Sequence, residues 1–330
     1  MGYVFVTGGT GLVGSHVIRL LAESGYNVQA LVRDDSSVAL VESLGASAIK
    51  GRVEDEESWL SLQEAEAIVH AAALVTQQRS WGSFQAVNIQ ATKHAATTAV
   101  RLGVRLIHIS SIAVYGRQTL QRAAAVDECS AWGQLRDTDY YARSKRMAEE
   151  VLQDMSRETD LSWVALRPCV IYGERDRVFL PRIMRSIRFG IAPLVGHGNN
   201  VLTVVYAGNV AEAVLSTLES PHARGPFNTT NDGEITQREF LTAVAAAMGR
   251  RVKFVPLPMA VASTLALAYH GVQRLLKPRS YPGIGIGAAR FMAADNPFSS
   301  ERANQELKWN PSTPPGTALE RSVRWFMPDD

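Results

Sequence analysis

The segment Thr7-Gly8-Gly9-Thr10-Gly11-Leu12-Val13-Gly14 constrains this chain more than any other. It follows an apolar run over residues 3–7, which reads as a strand. It opens an apolar-periodic stretch over 14–24, which reads as a helix closed by Gly25. Three glycines between strand and helix have separate tasks. Gly8 permits the tight turn, Gly11 lets a ligand approach the backbone, and Gly14 lets helix and sheet pack closely. A helix beginning there points free N–H groups and a partial positive charge at an anion. Thr7, Gly8, Thr10, Gly11, Leu12, Val13 and Gly14 are therefore candidates to hold the pyrophosphate of a dinucleotide.

The rest of the first half alternates in the same manner. Strands are predicted over 27–32, 67–71, 104–110 and 162–166, and helices from about Asn88 and over 143–158. Strand–helix alternation predicts an α/β fold, a Rossmann-type doubly wound parallel sheet with right-handed crossovers. After Arg167-Pro168 prolines and glycines become frequent, and a smaller C-terminal lobe is expected. Residues 1–168 form the nucleotide-binding domain in this reading, with a strand over 201–205 and a helix over 209–218 returning to it as part of 200–218. Residues 169–199 and 219–330 form the substrate-binding lobe.

A chain of 330 residues with 46% hydrophobic content buries a sizeable core unaided. A formal net charge of +2 argues against a nucleic-acid partner. Cys129 and Cys169 lack metal-ligand or redox spacing, as do the histidines, so no metal and two free thiols in a reducing, cytoplasmic setting are expected. No leader is expected ahead of the first strand. The apolar stretch over 259–269 is too short to span a bilayer, which needs roughly 20 residues. It reads as a buried helix of the smaller lobe, with the lining of a substrate mouth or contact at a membrane surface as the alternatives for 259–276.

The end of the second strand bears on the cofactor. Sites for NAD place an acidic residue there for the ribose hydroxyls. Here Val32-Arg33 stands in that place, and an arginine matches a 2′-phosphate, which favours NADP(H) with NAD(H) as the alternative. Asp34 and Asp35 compete for Arg33. Tyr141 and Lys145 lie four apart at a helix start, so phenol and ammonium share one face. A neighbouring positive charge lowers a phenol's pKa and suits it to proton transfer. Residues 106–111, Leu-Ile-His-Ile-Ser-Ser, end a strand in Ser110 and Ser111 at the sheet's carboxyl edge, where a hydroxyl stabilises a developing alkoxide. Asn88 reads as a helix cap or as a functional polar group.

Together with His70-Ala71-Ala72 and the run Leu166-Arg167-Pro168-Cys169-Val170-Ile171-Tyr172-Gly173, these residues resemble the extended short-chain dehydrogenases/reductases. The resemblance implies a catalytic Ser111, Tyr141 and Lys145, with Asn88 in a proton relay or structural hydrogen bond. It also implies cofactor contacts from Ala71, Ala72, Ala73, Ser110, Tyr141, Lys145, Pro168 and Val170. The family often has an Asp after the third strand. Here Arg52 replaces it beside Val53, and both are candidates to face adenine.

Ile112 and Ala113 stand where the family's dehydratases carry an Asp-Glu pair, so the acid and base for water elimination are missing. Val170 and Leu202 stand where sugar-nucleotide epimerases usually carry phosphate-binding Asn and Arg. Residues 30–34, 204–211 and 295–299 resemble instead the branch of 3β-hydroxysteroid dehydrogenases and dihydroflavonol reductases. An NADP(H)-dependent interconversion of a ketone and a secondary alcohol is therefore expected, on a lipophilic small molecule. The alternatives are a sugar-nucleotide epimerase and a non-catalytic NADP(H) sensor. Thr76, Phe179 and Tyr206 are candidate substrate contacts, and a homodimer is expected from the resemblance.

Overall fold

The computed structural model describes residues 2–75, 80–116, 125–187, 189–230, 232–258, 260–261, 264 and 291–327. The chain divides into two compact units. The first comprises Met1–Cys169, Ala207–Thr230 and Phe298–Asn310, and the second Val170–Tyr206, Asn231–Pro297 and Pro311–Asp330.

The first unit is built on β1 (Val4–Thr7), α1 (Leu12–Glu23), β2 (Val28–Val32), α2 (Asp35–Ser43), β3 (Ala46–Lys50), α3 (Glu56–Leu60) and β4 (Ala67–His70). It continues through α4 (Trp81–Phe84), a π-helical segment Gln85–Gln90, α5 (Ala91–Leu102), β5 (Arg105–Ile109), α6 (Tyr140–Glu158) and β6 (Trp163–Pro168). After an excursion into the second unit, the chain returns as α8 (Ala207–Glu219) and β10 (Gly225–Thr229). Seven strands form one sheet in the order β10-β6-β5-β4-β1-β2-β3, every neighbouring pair parallel. The sheet is the doubly wound Rossmann type. β1 and β4 are buried throughout because helices cover both faces, which is why they read as continuous apolar runs. The carboxyl ends of β1, β4 and β5 lie side by side, since Thr7 pairs with His70 and His70 with His108. That register brings the glycine loop, Ala71–Ala73 and Ser110–Ser111 to one edge of the sheet.

The predicted division differs from the observed one in three segments. Residues 201–206 do not return to the sheet, because β9 (Val204–Tyr206) pairs with β7 (Val170–Tyr172) in the second unit. Conversely, β10 extends the large sheet alongside β6, and the helix Glu301–Glu306 belongs with it. β10, Gly-Pro-Phe-Asn-Thr, has little strand character of its own, and its parallel pairing with β6 makes it a strand.

The second unit also contains α7 (Leu180–Ile187), β8 (Ile191–Val195), α9 (Gln237–Ala247), β11 (Lys253–Leu257) and the helix Pro315–Phe326. Its core gathers Tyr172, Leu180, Met184, Leu194, Phe240, Val244, Leu319 and Val323. Among the described residues no helix is long and apolar enough to cross a membrane. Most of the 259–276 stretch lies outside the described residues.

Candidate active site

The glycine loop has the geometry its sequence requires. Gly8 adopts φ +74°, and a Cβ there would sit 2.6 Å from the Ala72 nitrogen. A Cβ on Gly14 would lie 2.2 Å from the Gly8 carbonyl oxygen, so helix and loop meet only because hydrogen occupies that space. Gly11 is exposed, and a Cβ there would meet only the Gly8 oxygen, at 3.1 Å. No side chain caps α1 at Gly11 and no acidic residue lies in its first turn. The Gly11 N–H closes the turn on the Gly8 carbonyl at 2.9 Å, and the uncapped N-terminus beyond it, beneath a bare backbone, has the form that suits an anion such as a pyrophosphate. Thr10 and Leu12 are half-buried beside it, and Val13 is buried.

The Thr7 side chain is engaged within the sheet. Its hydroxyl is 2.8 Å from His70 Nδ1 and accepts the Ala72 N–H at 3.3 Å, so it pins the end of β4 to β1. Ala71 adds a backbone bond to the Thr7 carbonyl. Ala71, Ala72 and Ala73 thereby form a half-buried ledge beside Gly8.

Arg33 is exposed just after β2 and makes no ion pair among the described residues. The acids that compete for it in sequence are engaged elsewhere. Asp34 caps α2, accepting the Ser37 N–H and the Ser36 hydroxyl, and those bonds hold its carboxyl down at about 2. Asp35 pairs with Lys50. Arg52 is bound to Glu54, and the Val53 carbonyl accepts the Trp59 indole N–H.

Tyr141 lies in the first turn of α6, which begins three residues earlier than the sequence pattern predicts. Ser111 follows β5, its hydroxyl accepting the Ala113 N–H at 3.1 Å. Burial pushes the Tyr141 phenol up, and the Ser111 hydroxyl opposes that shift. The expected lowering by Lys145 is not the governing effect. Lys145 is fully buried, and its Nζ donates to the Ile109 carbonyl at 2.6 Å. Burial drives its pKa down to about 7, against the pull of Glu149. The ammonium thus ties α6 to the end of β5 and carries its charge below neutral pH.

Asn88 does not cap a helix. It sits inside the π-helical segment, a distortion common at functional sites. Its Oδ1 accepts the Leu74 N–H at 2.7 Å, and its Nδ2 donates to the Leu74 carbonyl and to the Ser144 hydroxyl. Ser144 in turn donates to the Tyr141 carbonyl. Asn88 therefore joins the loop after β4 to the turn that carries Tyr141.

The Ser110 hydroxyl turns into the core and donates to Glu149. Glu149 and Arg167 form a buried ion pair that sequence reading missed. The available signal was a charged residue in each of two apolar settings, the buried face of α6 and the strand β6. Pro168 ends β6 and is buried.

In the second unit, Val170 begins β7 and its N–H donates to the Thr203 carbonyl. Phe179 packs on Phe240 and Phe291. Tyr206 is 2% exposed and donates its hydroxyl to Glu174. The last two side chains serve that unit's core, and Tyr206 has almost no surface to offer a substrate. Thr76 lies outside the described residues.

His70 and His108, on adjacent strands, stack with ring centroids 5.6 Å apart. Burial, then Lys145, then His94 hold His70 down at about 3, and His108 is lowered by burial, Lys145 and His70. Both rings are neutral at physiological pH. Among the described residues no group of three or more His, Cys, Asp or Glu side chains is arranged to hold a metal ion.

A strand–glycine loop–helix unit with an uncapped helix N-terminus, beside a serine, a tyrosine and a lysine at the same sheet edge, is the arrangement of a Rossmann-type α/β protein. Residues 4–231 match the model of the NAD dependent epimerase/dehydratase family, and the chain belongs to that family. It is 27% identical over 308 residues to a 4-hydroxy-2-methyl-3-oxo-4-farnesyl-3,4-dihydroquinoline-1-oxide ketoreductase of Stigmatella aurantiaca, covering 92% of this chain and 90% of that one. It is 26% identical to a 2-alkyl-3-oxoalkanoate reductase of Stenotrophomonas maltophilia, covering 97% of each. Among solved structures, UDP-glucose 4-epimerase of Thermotoga maritima with UDP-glucose superposes with a TM-score of 0.74 at 22% identity, covering 98% of each chain. That likeness concerns the fold.

Proposed function

We propose that this chain is an NADP(H)-dependent oxidoreductase that interconverts a ketone and a secondary alcohol on a lipophilic small molecule. The observation carrying this reading is that Ser111 interacts with Tyr141 and Lys145 bonds the end of β5, at the sheet edge that also bears the uncapped glycine loop. The bound nicotinamide would supply or accept the hydride. The chain's own residues do the rest. In reduction, the Tyr141 phenol donates its proton to the carbonyl oxygen, and the Ser111 hydroxyl holds that oxygen by a second hydrogen bond. A phenol raised by burial is a reluctant acid, so the Lys145 charge matters for stabilising the phenolate left behind. That charge is present below about pH 7 and is lost above it. In oxidation the same groups run in reverse. Arg33, exposed just after β2 and without an ion pair among the described residues, would hold the 2′-phosphate.

Two relatives named as reductases of keto groups, one on a farnesyl-bearing quinoline and one on an alkyl oxoacid, support both the reaction class and the lipophilic substrate. The test is steady-state consumption of NADPH and NADH against ketones of graded chain length, with UDP-glucose as a further arm. NADPH-dependent turnover that improves with chain length is expected, and Arg33→Asp should shift preference toward NADH at least tenfold. Conversion of UDP-glucose without net cofactor consumption would overturn the reductase reading in favour of an epimerase.

A further inference from the structure

We propose that Glu149 is a positioning residue for the Ser111–Tyr141–Lys145 group, locking the end of β5 against α6 through Ser110 and Arg167. The proposal rests on the functional reading above. Glu149 follows Lys145 by four residues, so both side chains share one buried face of α6. Its carboxylate gathers three elements. From β6, Arg167 Nε donates to both carboxylate oxygens, at 3.0 and 3.2 Å, and Nη2 donates to Oε2. From the end of β5, the Ser110 hydroxyl donates to Oε1. Arg167 then reaches past the turn: its Nη1 donates to the Tyr115 hydroxyl at 2.8 Å, and its guanidinium carbon lies 4.9 Å from the Tyr115 ring centre. Tyr115 in turn donates to Asn228 Oδ1 at 2.7 Å.

The consequence is local to the reacting residues. Ser111 lies between Ser110 and the short 3₁₀ turn Ile112–Tyr115, and one carboxylate–guanidinium pair fixes both ends of that segment. Both ionic partners are 3% exposed. A buried ion pair contributes little net stability compared with well-packed apolar side chains, so geometry is its best-supported use here. A displacement of about 1 Å in such a group can cost 10²-fold in rate.

Glu149 also acts on Lys145 electrostatically. Lys145 is faced by Glu149 on α6, by His70 on β4 and by His108 on β5. Arg167 on β6 neutralises part of the Glu149 charge. Both histidines stay neutral, so Glu149 is the charge in this set that favours the ammonium.

The test compares wild type with Ser110→Ala, Glu149→Gln and Glu149→Asp in the full chain. Ser110→Ala keeps the ion pair and so guards against a variant that fails to fold. Hydrogen exchange over 105–115 is measured without cofactor, and kcat, KM and their pH dependence with NADPH and the best ketone of the panel. Ser110→Ala is expected to speed exchange at 110–115 and lower kcat about tenfold while KM changes less than threefold. In Glu149→Gln the alkaline limb of kcat moves to lower pH, and Glu149→Asp restores it. Unchanged exchange and kcat in Ser110→Ala overturn the proposal. So does a Glu149→Gln enzyme whose pH limb stays in place and whose activity falls only with its folded fraction. A wild type that turns over no ketone, with exchange still faster in Ser110→Ala, sinks the functional reading and leaves the lock on β5 standing.

Discussion

Replacing Gly11 and Gly14 by alanine separates the two tasks of the glycine loop. At Gly11 the backbone has φ −82° and ψ 173°, which alanine adopts without strain. The new methyl group meets only the Gly8 oxygen, at 3.1 Å. Losing glycine at a helix N-cap costs under about 1 kcal/mol, so the fold should hold. The methyl group projects from the exposed backbone that a pyrophosphate would approach. NADPH affinity should therefore fall at least tenfold, or about 1.4 kcal/mol. At Gly14 the same methyl group would lie 2.2 Å from the Gly8 oxygen and 2.7 Å from its carbonyl carbon. Both are backbone atoms of a turn held at positive φ, and no side-chain rotation relieves the overlap. Overpacking of this kind costs about 1–3 kcal/mol, which exceeds the gain of up to about 1 kcal/mol from alanine's better helix propensity. Thermal unfolding and NADPH fluorescence titration read the two effects. Gly14→Ala should unfold several degrees lower, and Gly11→Ala should stay near wild type while binding NADPH weakly. A Gly14→Ala protein as stable as wild type, or a Gly11→Ala protein with undiminished NADPH affinity, would refute the assignment.

Two further outcomes follow from buried polar groups. Folded His70 titrates near pH 3 whereas an unfolded histidine titrates near 6.5, so only the unfolded chain gains this proton in between. Stability should therefore fall as pH drops through that window, by roughly 4–5 kcal/mol in all from this group, and urea unfolding of His70→Asn should show a shallower acid loss. An identical acid dependence in the variant would contradict this. Asn88→Asp removes the donor to Leu74 and Ser144 and buries a carboxylate against a carbonyl. A loss of about 3 kcal/mol in urea unfolding is expected, and a change below about 1 kcal/mol would show that the clamp is not as described.

The parts of this protein that were legible in its sequence are those written in local pattern. The run 3–14 specifies strand, turn and helix because Gly8 and Gly14 each stand where a Cβ would overlap backbone. The Tyr141–Lys145 spacing similarly declares a shared helical face. The parts that were hidden depend on distant partners. β10 is a strand because β6, some 60 residues earlier, pairs with it. Asn88 reads as a cap until Leu74 and Ser144 occupy its amide. Adjacent serines 110 and 111 are indistinguishable by type, yet their side chains have different partners, one of them Glu149. The charge state of Lys145 depends on burial, which pattern does not report.

The most direct measurement is single-turnover hydride transfer from bound NADPH to an accepted ketone, comparing wild type with Tyr141→Phe at matched cofactor occupancy. With Tyr141 as proton donor, the variant should bind NADPH within about twofold of wild type and transfer hydride at least a hundredfold more slowly. Transfer at the wild-type rate with the phenol hydroxyl gone would contradict the assignment of Tyr141 and the mechanism built on it.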